Sequence, residues 1–305
     1  MALPQEYTFV RYLSSKKSVD DRSLNRSVWD RLKHEISGFD KPVRVLELGA
    51  GIGTMIERTV DWGLLQETDY TCVDSIPENI SEVFARLGSW AHKRNYEVAS
   101  SDEGMRIVGG NRDVTIRPVV ADVLDFMNDR ANKARWDLLI ANAFLDLVDI
   151  PLTLPHLFAM LKPGGLFYFT INFDGATVLQ PEIDKAVDLK IESLYHKTMD
   201  ERIINGKVSG DSLTGRHFFR FARDAGAEIL EAGPSDWVVF SGPEGYREDE
   251  AFFLHFIVHT MSLALAGHPE LDPEFFDRWI AERHRQVEEG SLVYIAHQLD
   301  FVGRV

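Results

Sequence analysis

The chain has 305 residues, a formal net charge of −15, 45% hydrophobic and 27% charged residues, and one cysteine. This length can form one enlarged domain or a core with a cap, and the composition is ordinary for a globular protein. The negative charge, with no basic patch along the chain, argues against nucleic acid as a partner. The single cysteine, Cys72, excludes an intrachain disulfide and favours a reducing compartment.

The sequence also lacks the patterns of a membrane or export segment. No uninterrupted apolar run approaches the ~20 residues that span a bilayer. Residues 1–13 do not have the basic and apolar pattern of a secretion signal. We therefore expect a cytoplasmic protein without membrane association.

Residues 1–37 precede the first predicted strand and include one clear helix. Over residues 23–37 an apolar residue recurs at every fourth position and forms one stripe, at Leu24, Val28, Leu32 and Ile36. The segment before this helix is dense in functional groups. It is either a solvated helix entry, with Asp20 or Ser23 as N-cap, or a segment that takes part in function.

The stretch VRVLELGAGIGTM at residues 43–55 predicts a buried strand, a glycine turn and the start of a helix. Glycines allow the sharp turn, and the free N–H groups of the helix start point at whatever binds there. The dinucleotide spacing GxGxxG does not fit, because Thr54 stands where the third glycine is needed. The loop residues that we expect at the ligand are Gly49, Ala50, Gly51 and Gly53.

Glu47 stands just before these glycines, where its carboxylate disfavours a pyrophosphate and attracts an ammonium or sulfonium group. The run E-L-G-A-G-I-G after a strand resembles the S-adenosylmethionine loop of class I methyltransferases, over residues 43–173 in particular. The resemblance implies a doubly wound, seven-stranded and mostly parallel α/β sheet with helical cap insertions. It also implies S-adenosylmethionine as cofactor, S-adenosylhomocysteine as product, and a helical flap formed by residues 1–37.

The run DYTCVD at residues 69–74 predicts the second strand, which ends in Asp74. Ligands of open parallel sheets lie outside the carboxyl ends of the strands, so Asp74 is placed beside the glycine loop to accept the ribose hydroxyl protons. The same aspartate could instead cap the helix that begins near Pro77. We expect Ser75 to border the adenine.

Residues 96–122 contain more chain than the minimal fold needs. The turn clusters DEG and GGN predict an extra hairpin before the third core strand at residues 114–121, whose proline indicates an edge or a bulge. Asp122 and Val123 follow, where resembling methyltransferases hold the adenine amino group. Asp122 could also cap the helix predicted over residues 124–133.

Residues 136–149 predict the fourth strand and its exit, with Asn142 at the carboxyl end in reach of cofactor and substrate. A turn asparagine explains this residue equally well. A helix at residues 154–161, the turn LKPGG and a fifth strand at residues 166–172 follow, and this succession resembles the matching methyltransferase segment. We assign residues 38–173 to the core that binds S-adenosylmethionine.

Residues 174–217 combine helical periodicity with glycines and hydroxyls, and we predict a substrate cap there. His217 is the first candidate for a general base and His196 the second, although most histidines are structural. Arg216, next to His217, suits a substrate carboxylate or phosphate. The predicted substrate contacts are Tyr12, Tyr195, Arg216 and Trp237.

Residues 218–305 are predicted to complete the core with strands six and seven, the last of them antiparallel. A helical insert at residues 248–289, broken at GHPELDP, lies between these strands. His255 and His259 are four residues apart, a spacing that can bind metal. No HExxH pattern or nearby cysteine completes such a site, so we predict no metal.

The sequence favours a methyltransferase that transfers a methyl group to an O, N or C atom of a small molecule by direct displacement. Two other hypotheses stay open. One keeps the fold but changes the chemistry, to aminopropyl transfer or a nicotinamide-dependent oxidoreductase; the other is a cofactor-binding protein without catalysis. A small-molecule partner is expected because a capped site admits long chains poorly, and a homodimer is left open.

Overall fold

A central β-sheet organises the molecule, and the computed structural model describes residues 3–101, 103–204 and 206–305. The helices, numbered in chain order, are α1 Phe9–Ser23, α2 Arg26–Ile36, α3 Thr54–Asp61, α4 Pro77–Lys93, α5 Val123–Asn128, α6 Ile150–Phe158, α7 Lys185–Asp200, α8 Thr214–Asp224, α9 Glu250–Ala264 and α10 Pro273–Glu288. The strands are β1 Val43–Leu48, β2 Glu67–Asp74, β3 Glu97–Ser101, β4 Gly104–Gly109, β5 Arg112–Val120, β6 Trp136–Asn142, β7 Leu161–Gln180, β8 Ile203–Ile204, β9 Lys207–Val208, β10 Glu228–Pro234, β11 Trp237–Val239 and β12 Val293–Arg304.

Ten of the strands in these described ranges form one sheet. Nine follow the order β10-β12-β7-β6-β1-β2-β5-β4-β3, and β11 pairs with β12. Strands β7, β6, β1, β2 and β5 are parallel neighbours, whereas β12 runs antiparallel to both β7 and β10. The predicted doubly wound, mostly parallel sheet with an antiparallel last strand is confirmed. The count of seven holds for the core strands, to which the hairpin β3-β4 and the short β11 are added.

Helices cover both faces of the sheet, and the inner strands direct apolar side chains to each face. On β6, Leu138 and Ile140 pack into one core cluster, whereas Leu139 and Ala141 pack into the other. The first cluster includes apolar residues of α2, α3 and α4, and the second includes residues of α5, α6 and α8. Strands buried on two faces read as continuous apolar runs, as β1 and β6 do.

The N-terminal segment contains two helices where the sequence predicts one. Thr8 caps α1 by accepting a hydrogen bond from Arg11 N, and Asn25 caps α2 by accepting one from Val28 N. The proposed N-caps Asp20 and Ser23 are therefore wrong, since both lie within α1. The apolar stripe that we predicted belongs to α2, whose buried residues include Val28 and Leu32.

The predicted extra hairpin is confirmed as β3 and β4, which pair antiparallel. Asp102, part of the predicted DEG turn, lies outside the described residues. Strand β5 is interior, between β2 and β4, but β4 pairs with it only as far as Ile116. Pro118 lies beyond that point and has Cys72 of β2 as its one strand partner, so it occupies a locally free edge where a missing N–H is tolerated.

Strand β7 is much longer than the predicted fifth strand at residues 166–172. It pairs with β12 along most of its length, from Leu166 opposite Arg304 to Gln180 opposite Val293. The first seven residues of the predicted cap, 174–180, therefore continue the sheet. The predicted helical insert corresponds to α9 and α10. Among the described helices, none has both the length and the apolar character needed to cross a bilayer.

Candidate functional site

The glycine loop connects β1 to α3 at the carboxyl ends of the parallel strands. Gly49, Gly51 and Gly53 have φ angles of 66°, 55° and 79°, which L side chains rarely adopt. A Cβ atom added at Gly49 would lie 3.0 Å from Phe144 Cδ2, and one added at Gly51 would lie 3.0 Å from Leu13 Cδ1. Conformation and close packing both require glycine here, and the main chain of the loop is left open to a cavity.

Asp74 fastens the tip of β2 to this loop. Its buried carboxylate accepts hydrogen bonds from Gly51 N at 2.8 Å, Ile76 N at 2.9 Å and Asn79 Nδ2 at 3.1 Å. Helix α4 has no side-chain cap, so the helix-cap alternative for Asp74 is wrong. The carboxylate instead sets the position of the glycine loop relative to β2.

Glu47 is buried directly beneath the loop, with 1% of its surface exposed. The hydroxyl of Tyr70 donates a hydrogen bond to Glu47 Oε2 at 2.8 Å. Burial raises the pKa of Glu47 to about 8, and the opposing effects of Tyr70 and Arg58 are smaller. The full negative charge that we expected from the sequence is thus largely titrated away near pH 7, and a cation bound nearby would restore it by lowering this pKa.

The strand tips after β5 and β6 supply the other predicted cofactor contacts. Asp122 is exposed and caps α5, because its Oδ1 accepts a hydrogen bond from Leu124 N at 2.7 Å. The helix it caps ends at Asn128, five residues before the predicted end. At the tip of β6, the Asn142 amide oxygen accepts a hydrogen bond from Thr170 Oγ1 at 2.8 Å. This bond fixes the orientation of the Asn142 side chain.

One cavity of about 410 Å³ brings most of the predicted residues together. The predicted cofactor residues that line it are Glu47, Gly49, Ala50, Gly51, Asp74, Ser75, Val123 and Asn142. The predicted substrate residues that line it are Tyr12, Tyr195 and Trp237. Gly53 does not line it, and Asp122 faces a neighbouring cavity of about 420 Å³ that shares Ser75 and Val123 with the first.

Helix α1 forms one wall of this cavity around a buried ion pair. Lys16 Nζ lies 2.5 Å from Asp20 Oδ2, and Trp237 Nε1 donates a hydrogen bond to Asp20 Oδ1 at 3.0 Å. A second cation, the buried Arg58, approaches Asp20 Oδ2 to 3.5 Å. Burial lowers the pKa of Lys16. Asp20 therefore compensates two buried positive charges and positions the indole of Trp237.

Among the polar side chains that line the cavity, Asp146 and Gln298 each have an oxygen atom without a hydrogen-bond partner among the described residues. Asp146, in the turn after β6, has a buried Oδ1 atom that no hydrogen-bond donor among the described residues reaches. Burial raises the pKa of Asp146. Gln298 is 2% exposed, and its Oε1 atom likewise has no partner in the described ranges. Burial also raises the pKa of Tyr195, to about 12, and of Tyr294.

Arg216 and His217 are not among the residues that line the cavity. Arg216 donates hydrogen bonds from its main-chain N and its Nε to Asp174 Oδ1, at 2.8 and 2.9 Å. His217 Nδ1 lies 2.6 Å from Asp211 Oδ2. Both residues lie in the first turn of α8. The carboxylates of Asp174 and Asp211 bind their side chains away from the cavity. The sequence suggested them because their neighbours are glycines and hydroxyls, but these residues form the entry to a helix.

His196, the second candidate base, lies one layer behind the cavity. Its Nε2 is 2.9 Å from Thr177 Oγ1, and its ring packs against Phe173 with the ring centres 5.1 Å apart. Thr177 and Phe173 line the cavity, but His196 does not. Burial lowers the pKa of His196, so the ring is neutral and positions its two neighbours.

Sequence reasoning missed several residues that line the cavity, among them Asp146 near the tip of β6 and Tyr294 and Gln298 at the far end of the chain. Tyr294 and Gln298 are four apart on β12, so a period of two indicates that they share one face. Which face points at the glycine loop depends on the pairing of β12 with β7. Asp146 follows Asn142 by four residues. Its position just after the end of a parallel strand could have indicated that it lies near the ligand.

The pair of histidines with metal-like spacing takes part in a different contact. His255 Nδ1 lies 2.9 Å from His284 Nδ1, which joins α9 to α10. His259 stacks on Tyr7 with ring centres 4.0 Å apart. In the part of the chain that the structure describes, no group of three or more His, Cys, Asp or Glu side chains is arranged to hold a metal ion.

Comparison with solved structures finds distant likenesses, among them the following two. A putative sarcosine dimethylglycine methyltransferase from Galdieria sulphuraria is 14% identical, with a TM-score of 0.42, and the match covers 96% of this chain and 85% of the other. Geranyl diphosphate C-methyltransferase from Streptomyces coelicolor A3(2) is 11% identical, with a TM-score of 0.46 and coverages of 99% and 82%. Likeness at this level says nothing about the substrate. No curated protein sequence matches the chain.

The match to a protein family is more informative. A family model described as a methyltransferase domain matches residues 22–232, which is more than half of the chain. The matched range contains the glycine loop, the tips of β2, β5 and β6, and the long strand β7. The chain therefore belongs to the class I methyltransferases, whose methyl donor is S-adenosylmethionine.

Proposed function

We propose that the protein transfers the methyl group of S-adenosylmethionine to a small molecule held in the main cavity. The observation that carries this proposal is that one cavity is lined both by the glycine loop with Asp74 and, beyond them, by residues of α1, α7, β11 and β12, which we call the acceptor chamber. Direct displacement requires donor and acceptor to share one enclosed space in a fixed alignment. The continuity of the cavity therefore supports transfer over simple cofactor binding.

The residues at the loop end suit the parts of S-adenosylmethionine. The open main chain at Gly49 and Gly51 suits the methionine portion, and Asp74 offers a carboxylate to the ribose hydroxyls. The adenine would be held by Ser75, Asp122 and Val123, and Asn142 stands at the junction with the acceptor chamber. When bound, the cofactor supplies a methyl group on a positively charged sulfur. Glu47 would then lose its proton to the solvent, which adds a compensating negative charge.

The chamber walls align the acceptor and exclude water. Aromatic and aliphatic side chains dominate them, and helices α1 and α7 contribute Tyr12, Leu13 and Tyr195. A volume of about 410 Å³ is within the range of small-molecule sites. The cofactor and the acceptor must share this volume, and helix α1 packs on the glycine loop through Leu13, so the space favours a metabolite over a protein or RNA acceptor.

A labelling experiment tests the class of acceptor. Purified protein is incubated with methyl-labelled S-adenosylmethionine and a cell extract, and the products are separated by mass. We expect label in low-mass species, and much less of it with the Asp74→Asn variant. Label found solely in proteins or RNA would contradict a small-molecule acceptor. Parallel assays with decarboxylated S-adenosylmethionine and with NAD test the aminopropyl and redox alternatives, and binding without any turnover would indicate a non-catalytic protein.

A further inference from the structure

The carboxyl group of Asp146 is not fully hydrogen-bonded by the described residues. Its Oδ1 atom is buried and has no hydrogen-bond partner among the described residues. A buried acceptor of this kind costs free energy unless something donates to it. The carboxyl also lines the main cavity, four residues after Asn142. Its missing partner is therefore expected to come from a molecule in the chamber.

Aromatic side chains line the same cavity as Asp146. They include residues from α1, β7, α7, β11 and β12, namely Tyr12, Phe173, Tyr195, Trp237 and Tyr294. Over the described ranges, the hydroxyls of Tyr12, Tyr195 and Tyr294 have no hydrogen bond to protein, and the same holds for the amide oxygen of Gln298. Aromatic faces attract cations, and free hydroxyls and amides bind polar groups.

The described cationic side chains near Asp146 do not form an ion pair with its carboxylate. Lys16 is held by Asp20 at 2.5 Å. Arg202 donates from Nη1 to the main-chain oxygen of Asp146 at 3.2 Å and stays outside ion-pair distance of the carboxyl. Lys16 and Arg202 act on Asp146 only at longer range, where their charges favour its ionised form. The carboxylate thus keeps the capacity to bind one more positive group.

We propose that the methyl acceptor is a small primary or secondary amine, whose N–H group donates to the Asp146 carboxyl in the cavity that these aromatic side chains line. This inference rests on the proposed methyl transfer and adds the chemical class of its substrate. Asp146 is then a specificity-determining residue as well as the group that receives the proton of the substrate ammonium.

The chemical step balances with these groups alone. The Asp146 carboxylate takes one proton from the substrate ammonium, which frees the nitrogen lone pair. The lone pair forms the new N–C bond as the C–S bond breaks, and the electron pair of that bond stays on sulfur as the neutral thioether. The methylated nitrogen now carries the positive charge. The proton on Asp146 passes to solvent when the product leaves.

Binding of three matched probes tests the inference on the protein saturated with S-adenosylhomocysteine. Benzylamine, benzyl alcohol and benzoate have the same ring and differ in charge. We expect the wild-type protein to bind benzylamine most tightly in calorimetric titrations. The Asp146→Asn variant should bind benzylamine at least about tenfold more weakly, because an ionic hydrogen bond is lost, and should bind benzyl alcohol unchanged.

Two further readouts separate this role from a structural one. The Asp146→Asn variant should have an undiminished melting temperature, since it removes a charge that has no protein partner, and an unchanged affinity for S-adenosylhomocysteine. Asp30→Asn, the same change at an exposed position of α2, should alter none of these values. Unchanged benzylamine affinity in Asp146→Asn, equal affinity for the three probes, or no binding of benzylamine would overturn the inference. Failure of S-adenosylhomocysteine to bind would instead contradict the proposed function.

Discussion

The two halves of the cavity are built in different ways. The cofactor half comes from the tips of β1, β2, β5 and β6, which are neighbours in the sheet, and its side chains bond chiefly to nearby main chain, as Asp74 does to Gly51. The acceptor half is assembled from segments far apart in the chain, as the bond between Trp237 and Asp20 illustrates. A site built from neighbouring strand tips is easily kept among the members of a family. A site built from segments far apart in the chain can change with the substrate.

The largest expected effect is on the stability of the acceptor half. Asp20→Asn leaves Lys16 and Arg58 buried without their shared carboxylate, so we expect a loss of about 3 to 5 kcal/mol in the free energy of unfolding. Urea unfolding measures this loss. Glu201→Gln, which removes an exposed ion pair with Lys197, is the control and should show no measurable change. Equal, small effects of the two substitutions would show that the buried pair does not hold the wall together.

A glycine pair tests the cofactor half. Gly51 and Gly110 have nearly the same backbone conformation, with φ of 55° and 59°, so alanine at either position brings similar strain. A Cβ at Gly51 meets Leu13, whereas one at Gly110 has no atom within 4 Å. We expect Gly51→Ala to weaken S-adenosylhomocysteine binding at least about tenfold and Gly110→Ala to leave it unchanged. Calorimetric titration of both variants decides this, and equal affinities would refute the role of the loop.

The smallest expected effect, when measured over one pH unit, is a pH dependence of stability that is specific to the cofactor half. The pKa of Glu47 is raised to about 8 from 4.5, so the folded protein holds a proton that the unfolded chain releases. Its contribution to stability is full below pH 4.5 and is lost as the pH rises through 8, at most about 1.4 kcal/mol per pH unit. Glu47→Gln, which mimics the protonated form, should flatten the curve of unfolding free energy against pH. Parallel curves for the two proteins would contradict this assignment.

The same contrast explains what the sequence could predict. Gly49, Gly51, Asp74 and Val123 lie at places where short patterns indicate a strand, its end and the next turn, and all four line the cavity. Arg216 and His217 carry suitable chemistry, but the carboxylates of Asp174 and Asp211 bind them away from the cavity. Only the three-dimensional arrangement distinguishes a reactive group from a helix entry.

The missed residues follow from strand pairing. Strand β12 enters the sheet beside β7, and this pairing brings Tyr294 and Gln298 to the chamber from the end of the chain. No local pattern fixes which neighbour a last strand selects or which of its faces is turned to the glycine loop. The sheet order could be predicted from the family resemblance, but the composition of the acceptor half depends on contacts that are specific to this chain.

Calorimetric titration of S-adenosylhomocysteine into the wild-type protein and into Asp74→Asn tests the cofactor site most directly. We expect saturable binding to the wild type and at least about tenfold weaker binding to the variant, because the ribose loses an ionic hydrogen-bond acceptor. Asp69→Asn, on the same strand β2, is the control and should bind as the wild type does. No heat from the wild type with either S-adenosylhomocysteine or S-adenosylmethionine, or equal affinity in Asp74→Asn, would contradict the assignment of this site.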